Sequence, residues 1–372
     1  MIKKVTLLLL VFCLCLGGSN DTVAKETDRT EEVITFLKNM YDKRIQFLID
    51  QDEAKIASFY LPEKYSRYAY KQELKRAAYI NGWAEKRGID FRKAEGSIRI
   101  GRVAVNGNRA KVFLVQSCKL TYAYKEPEAK EQWFGVGTRH ALTLKYADGG
   151  WKVEKEWYLD PFDDVPHNIP TAHKPAAEPA EKFAAQLLQE KKSWRKKYNR
   201  QQAVAYADKY AGAAAGAGNN HRYNRKYKDY TYSGGDCTNF SSQVIGDPQE
   251  GGGLPMWGGW FYRNEGSTSW IRTDAFKDFL LYSGYGKLVM RGSYKQVTKR
   301  TDKYPSGAIA ALEPGDLIGY EIRGDIDHFS IVTAKDDRGY VLVNSHSADR
   351  YHVPWDLGWD HHTKVWLIKI RD

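Results

Sequence analysis

Two glycines and an aspartate precede a cysteine in the second half of the chain, in the run Gly234-Gly235-Asp236-Cys237. Glycine permits a sharp turn, and Asp236 suits the N-cap of a helix that begins at Cys237. A thiol at a helix N-terminus meets unpaired backbone N–H groups and the positive end of the helix dipole, which favour the thiolate. The turn therefore predicts Cys237 as a nucleophile, if a histidine elsewhere can accept its proton.

His328 is the candidate for that base, because it opens a predicted strand over residues 328–334. In a strand, Phe329 and Ile331 should share one face and leave His328 on the other. A third group should fix the tautomer of the imidazole. The next predicted strand offers Asn344 and His346, which lie two residues apart and so share a face. We expect either of them to orient His328.

A metal site is a weaker interpretation of the histidines in this half. His328, His346, His361 and His362 are accompanied by no Cys pair and by no His pair at helical spacing. No metal and no other cofactor is therefore predicted.

Aromatic residues around the cysteine could line a substrate groove. Tyr232 precedes the turn, and Trp260 and Trp270 follow the cysteine helix. Aromatic walls suit the faces of sugar rings and exclude water. Packing of a small core explains the two tryptophans equally well.

Helices are followed by strands in each half of the chain, which predicts two α+β domains. The predicted helices are 31–48, 70–87, 199–210, the one starting at Cys237, and 274–282. The predicted strands are 98–105, 110–124, 135–146, 151–159, 316–320, 328–334, 340–343 and 365–370. In the first half, the order of these elements resembles the nuclear-transport-factor-like fold, a resemblance of architecture without a shared motif.

Five prolines between residues 161 and 179 mark a linker, which a basic helical stretch follows. The N-terminus has a basic start, a short apolar run and a small-residue cleavage site, all typical of a secretory signal. Cys13 and Cys15 within that run leave a lipid anchor as an alternative. The expected organisation is a signal peptide at 1–24, an α+β domain at 30–160, a linker with a basic helix at 161–196, and a second domain at 197–372.

Cleavage after residue 24 would remove two lysines and one aspartate from a chain of net charge +11, leaving +10. A basic exported protein is drawn to anionic polymers of a cell wall, while no nucleic-acid-binding motif is present. We expect no stable membrane insertion after cleavage, because the apolar run is short. Only Cys118 and Cys237 would remain, too few for a disulfide framework, which favours a thiol kept for its reactivity.

The motifs of the second half follow one order: Tyr198-Asn199-Arg200, Gly234 to Gln243, Asp327 to Val332, and Asn344 to Ser347. That order resembles the amidase domain family of mainly Gram-positive bacteria, and it is similar to the papain-like CHAP and NlpC-type wall hydrolases. The resemblance covers about residues 196–370. It implies a papain-like fold, with the cysteine helix packed on an antiparallel sheet, Cys237 as nucleophile and His328 as base.

The sequence thus predicts a secreted cysteine amidase or peptidase that cuts amide bonds, with peptidoglycan as the expected substrate. Two alternatives stay open. A protein of the same fold could bind cell wall without catalysis, or the thioester of Cys237 could pass its acyl group to an amine.

Overall fold

The first half of the molecule is helical and then strand-rich, as predicted. The computed structural model describes residues 19–171 and 198–371, with side chains from residue 29, so most of the predicted signal peptide lies outside the described residues. The helices are α1 (Ser19–Asp50), α2 (Ala54–Ala57) and α3 (Lys64–Arg87). The strands are β1 (Ile89–Asn106), β2 (Arg109–Tyr124), β3 (Gln132–Ala147) and β4 (Gly150–Tyr158).

The second half contains further helices that carry or support the candidate site. They are α4 (Arg200–Lys209), α5 (Cys237–Gly246), α6 (Thr268–Ile271), α7 (Thr273–Tyr282) and α8 (Tyr294–Thr298). The strands are β5 (Gly286–Ser293), β6 (Leu317–Ile322), β7 (Asp325–Lys335), β8 (Val341–Ser345), β9 (Asp349–Pro354) and β10 (Lys364–Ile370). Both halves are therefore α+β.

The helix α5 is buried along its whole length. Phe240 and Val244 pack in one core cluster with Phe329 and Ile331 of β7. Tyr320 and Val332 belong to a second cluster, on the opposite face of the same sheet. Since side chains alternate along a strand, His328 shares the face of Val332, as the sequence predicts.

The two halves share one antiparallel sheet of ten strands, in the order β1-β2-β3-β9-β8-β7-β6-β10-β5, with β4 beside β3. The junction is the pairing of β3 with β9, where Gly137 lies opposite Asp349. A Cβ atom at Gly135 would stand 1.8 Å from the carbonyl oxygen of Ala215, so glycine is required for the loop 211–218 to lie against β3.

The start of the predicted linker packs against both halves. Phe162 and Ile169 are buried in the core of the first half, and the backbone N–H of His361 donates to the carbonyl oxygen of Asn168. Residues 172–197 lie outside the described residues, and the domain boundaries stay a prediction. Within residues 19–171 and 198–371, no helix has both the length and the apolar character needed to cross a membrane.

Candidate functional site

The turn before α5 has the conformation that its glycines predict. Gly234 and Gly235 both have φ of 103°, a region that side-chain-bearing residues rarely adopt. Asp236 occupies the N-cap position of α5, but its side chain makes no capping hydrogen bond, so the expected capping role is wrong. Its Oδ1 accepts instead from the backbone N–H of Tyr230 and from Asn239 Nδ2, each at 2.8 Å. The carboxylate thus holds the turn rather than the helix end.

Cys237 is a free thiol, 7% exposed, at the first residue of α5. Burial raises the pKa of this thiol, and hydrogen bonding by the backbone N–H of Phe329 and by Thr238 only partly opposes that effect. Thr238 Oγ1 lies 3.8 Å from the sulfur. Because Phe329 follows His328 directly, the sulfur lies beside the peptide unit that joins these two residues.

His328 is 7% exposed and packs beside aromatic rings. Its ring centroid lies 5.9 Å from that of Tyr320 and 5.5 Å from that of Trp359. Burial lowers its pKa to about 3, and the positive charges of Arg350 and His346 act in the same direction. Within the described residues, its Nε2 atom is buried without a hydrogen-bond partner. The imidazole is therefore neutral at physiological pH.

Neither predicted orienting residue bonds to His328. Asn344 lies opposite Ile331 in the β7–β8 pairing, and so on the other face of β7. Its Oδ1 accepts from Thr333 Oγ1 at 3.0 Å, and its Nδ2 donates to Asp208 Oδ1 at 2.8 Å. Both ends of the Asn344 amide are thus hydrogen-bonded, to Thr333 of β7 and to Asp208 of α4.

His346 is bound on both sides. Its Nδ1 lies 2.6 Å from Asp236 Oδ2, and its Nε2 lies 2.6 Å from the carbonyl oxygen of Tyr210. Its ring is stacked between those of Tyr223 and Phe240, with centroids 3.6 and 3.8 Å away. Since a carbonyl oxygen only accepts, Nε2 carries the hydrogen of the bond to Tyr210, and Nδ1 is engaged by the Asp236 carboxyl group. It therefore fixes the turn that carries Cys237 instead of orienting His328.

A chain of contacts connects this pair to the first half of the molecule. Tyr223 donates to Asp349, which also accepts from Arg139 Nη2 of β3 at 2.9 Å. Although burial opposes ionisation of Asp349, Arg139 and His346 hold its pKa below the usual range. The link thus runs from β3 through Asp349 and Tyr223 to His346 and the cysteine turn.

Arg350 was not predicted from the sequence. It is 4% exposed and contributes to the lowered pKa of His328. Among the described residues it has no carboxylate within ion-pair distance, and its guanidinium donates to the carbonyl oxygens of Leu357 and Pro161 at 2.6 and 3.2 Å. Nothing in its local sequence marks it, because its partners lie on the backbone and one is distant in the chain.

The predicted substrate-binding aromatics divide into two groups. Tyr232 is 67% exposed beside the turn, where a groove-lining residue should lie. Trp260 and Trp270 are fully buried and contact each other, which corrects the expectation that they line a groove. Their indole N–H groups donate to Ser242 Oγ and Asn239 Oδ1 of α5, each at 2.9 Å, so they support the cysteine helix from within the core.

No group of three or more His, Cys, Asp and Glu side chains in the described part of the chain is placed to hold a metal ion. The ring centroids of His361 and His362 lie 3.9 Å apart with the rings tilted by 43°, and His361 Nδ1 lies 2.9 Å from the carbonyl oxygen of Asn168.

Residues 197–368 match the protein family described as "Putative amidase domain". The match covers just under half of the chain and indicates amide hydrolysis as the activity of this region. It also confirms the family resemblance, although the papain-like details are not part of the match.

A protein of Bacillus subtilis (strain 168), "Uncharacterized protein YhbB", is 30% identical over 167 residues, which are 42% of this chain and 44% of that protein. The chain thus spans less than half the length of this curated relative.

Two solved structures resemble part of the chain at low TM-scores. The intermembrane space region of the chloroplast protein ARC6 is 15% identical with a TM-score of 0.25, covering 35% of this chain and 94% of its own. A protein of Novosphingobium aromaticivorans described as "Putative Scytalone Dehydratase" is 16% identical with a TM-score of 0.23, covering 37% and 84%. The nuclear-transport-factor-like architecture of the first half stays a prediction.

Proposed function

We propose that the second half of this protein is a cysteine amidohydrolase in which Cys237 attacks an amide carbonyl and His328 moves the proton. The observation that carries the proposal is the position of the Cys237 sulfur at the N-terminus of α5, beside the backbone N–H that follows His328. The match to an amidase family over the same residues supports it.

The protonation states favour general-base catalysis over a preformed ion pair. Burial raises the pKa of the Cys237 thiol and lowers that of His328 to about 3, so both groups are neutral before substrate binds. The neutral imidazole takes the thiol proton as sulfur attacks the carbonyl carbon. Hydrogen bonds of this kind commonly tighten only when substrate is bound, which fits a thiol that is not yet bonded to the ring.

The remaining steps follow from the same groups. The backbone N–H of Cys237, in the first turn of α5, has no intrahelical acceptor and is free to donate to the oxyanion. The imidazolium of His328 returns its proton to the leaving amine, and a thioester remains on Cys237. Water then attacks the thioester with its proton taken by His328, which releases the carboxylate and restores the thiol.

We propose an amide of peptidoglycan as the substrate and the cell wall outside the membrane as the place of action. The signal-like N-terminus and the positive charge of the chain support this assignment. The exposed ring of Tyr232 beside the turn offers an aromatic surface for a sugar.

The test is digestion of purified peptidoglycan with wild-type protein, Cys237→Ala and the matched control Cys118→Ala. Mass spectrometry of the soluble products should show new amine and carboxyl ends with the wild type and the control. Loss of the nucleophile should reduce their release by at least about 10⁴-fold. Equal release by Cys237→Ala would exclude the mechanism.

Two further readouts separate the alternatives. An added amine acceptor that appears in the products would identify acyl transfer in place of hydrolysis. Tight wall binding without any new ends, unaffected by alkylation of the thiol, would identify a binding protein.

A further inference from the structure

The strands β1 to β4 form a sheet with one face turned away from the core of the first half. Along β2, Val112, Leu114 and Gln116 are buried, whereas Lys111 and Phe113 between them are exposed. Directly paired residues of neighbouring strands lie on the same face of a sheet. The pairing therefore gives the composition of the outward face.

Three adjacent rows of paired residues cross this outward face. They are Ala104–Lys111–Thr143–Lys155, Arg102–Phe113–Ala141–Trp157, and Arg99–Val115–Arg139. None of these residues is acidic. The rows follow one another at roughly 7 Å along the strands, and we call this surface the basic face.

A β-bulge shapes the basic face. The pairing of β1 with β2 shifts between Ile100 and Arg102, so that Gly101 is the extra residue. Without this shift, Arg99 and Arg102 would point to opposite faces of the strand. The bulge thus places two guanidinium groups on one surface.

Most cations of the basic face have no carboxylate partner. Within the described residues, Arg99, Arg102, Lys111 and Lys155 form no ion pair, whereas Arg109 and other bases at the margin of the face are paired with glutamates. Lys155 Nζ lies 4.7 Å from the ring centroid of Tyr65, which is 57% exposed. The surface therefore combines unneutralised positive charge with exposed rings, of which Trp157 is 63% exposed.

The basic face ends at the candidate active site. Arg139 belongs to its last row, and its guanidinium lies 4.9 Å from the ring of Tyr223, which stacks on His346. Arg139 also interacts electrostatically with Asp229 and with Tyr232, in the loop that leads to Cys237. A long substrate could thus contact the basic face and the cysteine turn together.

We propose that the basic face binds a phosphodiester-linked polyol polymer of the cell wall and so holds the enzyme on its substrate. Guanidinium groups match phosphate oxygens with paired hydrogen bonds, and polyol and sugar units pack on aromatic rings. A regularly charged chain complements cations arranged in rows. This inference rests on the proposed function only for the location of the polymer, because binding itself needs no catalysis.

The experiment measures sedimentation of the full chain with insoluble cell walls, over a series of salt concentrations. Walls that carry the phosphodiester polymer are compared with the same walls after hydrofluoric acid has removed it. The variant carries Arg99→Glu, Arg102→Glu and Lys111→Glu. The matched control carries Lys287→Glu, Lys299→Glu and Arg300→Glu, three exposed bases in and after β5, at the other end of the sheet.

Wild type and control should bind intact walls, with an affinity that falls as salt rises. The basic-face variant should bind about tenfold or more weakly, since three cations that face the anionic polymer become anions that repel it. If that variant does not fold, the corresponding three changes to Gln provide the second version. Cys237→Ala should bind as wild type, so that loss of catalysis and loss of binding are distinguished.

Three results would overturn the proposal. The first is equal binding to stripped walls, and the second is an equal loss in variant and control, which would mean that only net charge matters. The third is tighter binding to single-stranded DNA than to the intact walls, which would assign the face to nucleic acid.

Discussion

Each half of this molecule buries one free thiol and a histidine in contact with a carboxylate, but the buried histidines of the two halves differ in whether a ring nitrogen is left without a partner. In the first half, His140 Nδ1 lies 2.7 Å from Glu156 Oε1 and its Nε2 lies 2.7 Å from Thr138 Oγ1. Arg44 donates to both oxygens of the same Glu156 at 2.9 Å. In the second half, His346 is equally satisfied, whereas His328 keeps a buried nitrogen without a partner.

The difference separates structural histidines from a candidate base. A buried polar atom without a partner destabilises a fold, so it persists where another requirement maintains it. His140 and His346 each have both ring nitrogens engaged by groups other than the Cys237 thiol, so neither is placed to take its proton. By this criterion, His140 and His346 hold structure, and only His328 of these three can perform the proton transfer.

The strongest test of the comparison is the effect of removing each histidine on activity. His328→Ala should reduce amide hydrolysis by about 10³-fold or more, within the usual range for a general base, and should leave the protein folded. His140→Ala should leave kcat within a few-fold but lower the free energy of unfolding by about 2–4 kcal/mol, because Glu156 loses a buried partner. Rates are measured with purified peptidoglycan and unfolding with urea. If His140→Ala lost activity and His328→Ala did not, the presence or absence of hydrogen-bond partners at a buried histidine would not identify the base.

The two thiols should differ by about 100-fold or more in alkylation of the native protein. Cys118 is 2% exposed in a core, and burial raises its pKa to about 11. Cys237 stands at the end of a helix beside an exposed turn, although its pKa is also raised. Iodoacetamide followed by peptide mass spectrometry should label Cys237 selectively, at a rate that rises continuously from pH 6 to pH 9.

A plateau in the rate of Cys237 labelling at acidic pH would reveal a thiolate–imidazolium pair of Cys237 and His328. It would contradict the inference that both groups are neutral. Equal labelling of the two cysteines would remove the distinction between a structural thiol and a reactive one. Cys118→Ala provides the control for the assignment of labelled peptides.

The smallest effect concerns stability at acidic pH. The pKa of His328 is about 3 in the folded protein and 6.5 in a model peptide, so below pH 6.5 the unfolded chain binds a proton that the folded one does not. Its contribution to stability is therefore lost as the pH falls from 6.5 towards 3, by about 3 kcal/mol at pH 4.5. His328→Phe should remove this loss, as measured by urea unfolding at pH 7 and pH 4.5. The same loss in both proteins would show that His328 is not buried in neutral form.

The sequence predicted local structure best. Asn199 does cap α4, accepting from the backbone N–H of Gln202 at 3.1 Å, and the two glycines before Cys237 form the predicted turn, each with φ of 103°. Such features depend on neighbours within a few residues. The strand β9 was missed because Asp349 and Arg350 are buried there with polar partners, so its sequence lacks the apolar alternation of a buried strand.

The roles of polar side chains could not be read from spacing. Asp236 and His346 are 110 residues apart, and each was assigned a role suited to its own segment, as a cap and as an orienting group. Their mutual bond depends on how the loop after β8 returns to the helix α5. The tryptophans were ambiguous for the same reason, since a ring in a core and a ring in a groove have the same local sequence.

The pairing of β3 with β9 has a consequence for processing of the chain by proteases. Every strand that the structure describes lies before Thr171 or after Tyr198, so a single cut between these residues interrupts none of the described strand pairings. The two fragments would remain joined by backbone pairing and by contacts such as that of Trp83 Nε1 with Asp356 Oδ2 at 3.0 Å. A nicked protein would therefore migrate as two bands in a denaturing gel and as one species in native size-exclusion chromatography.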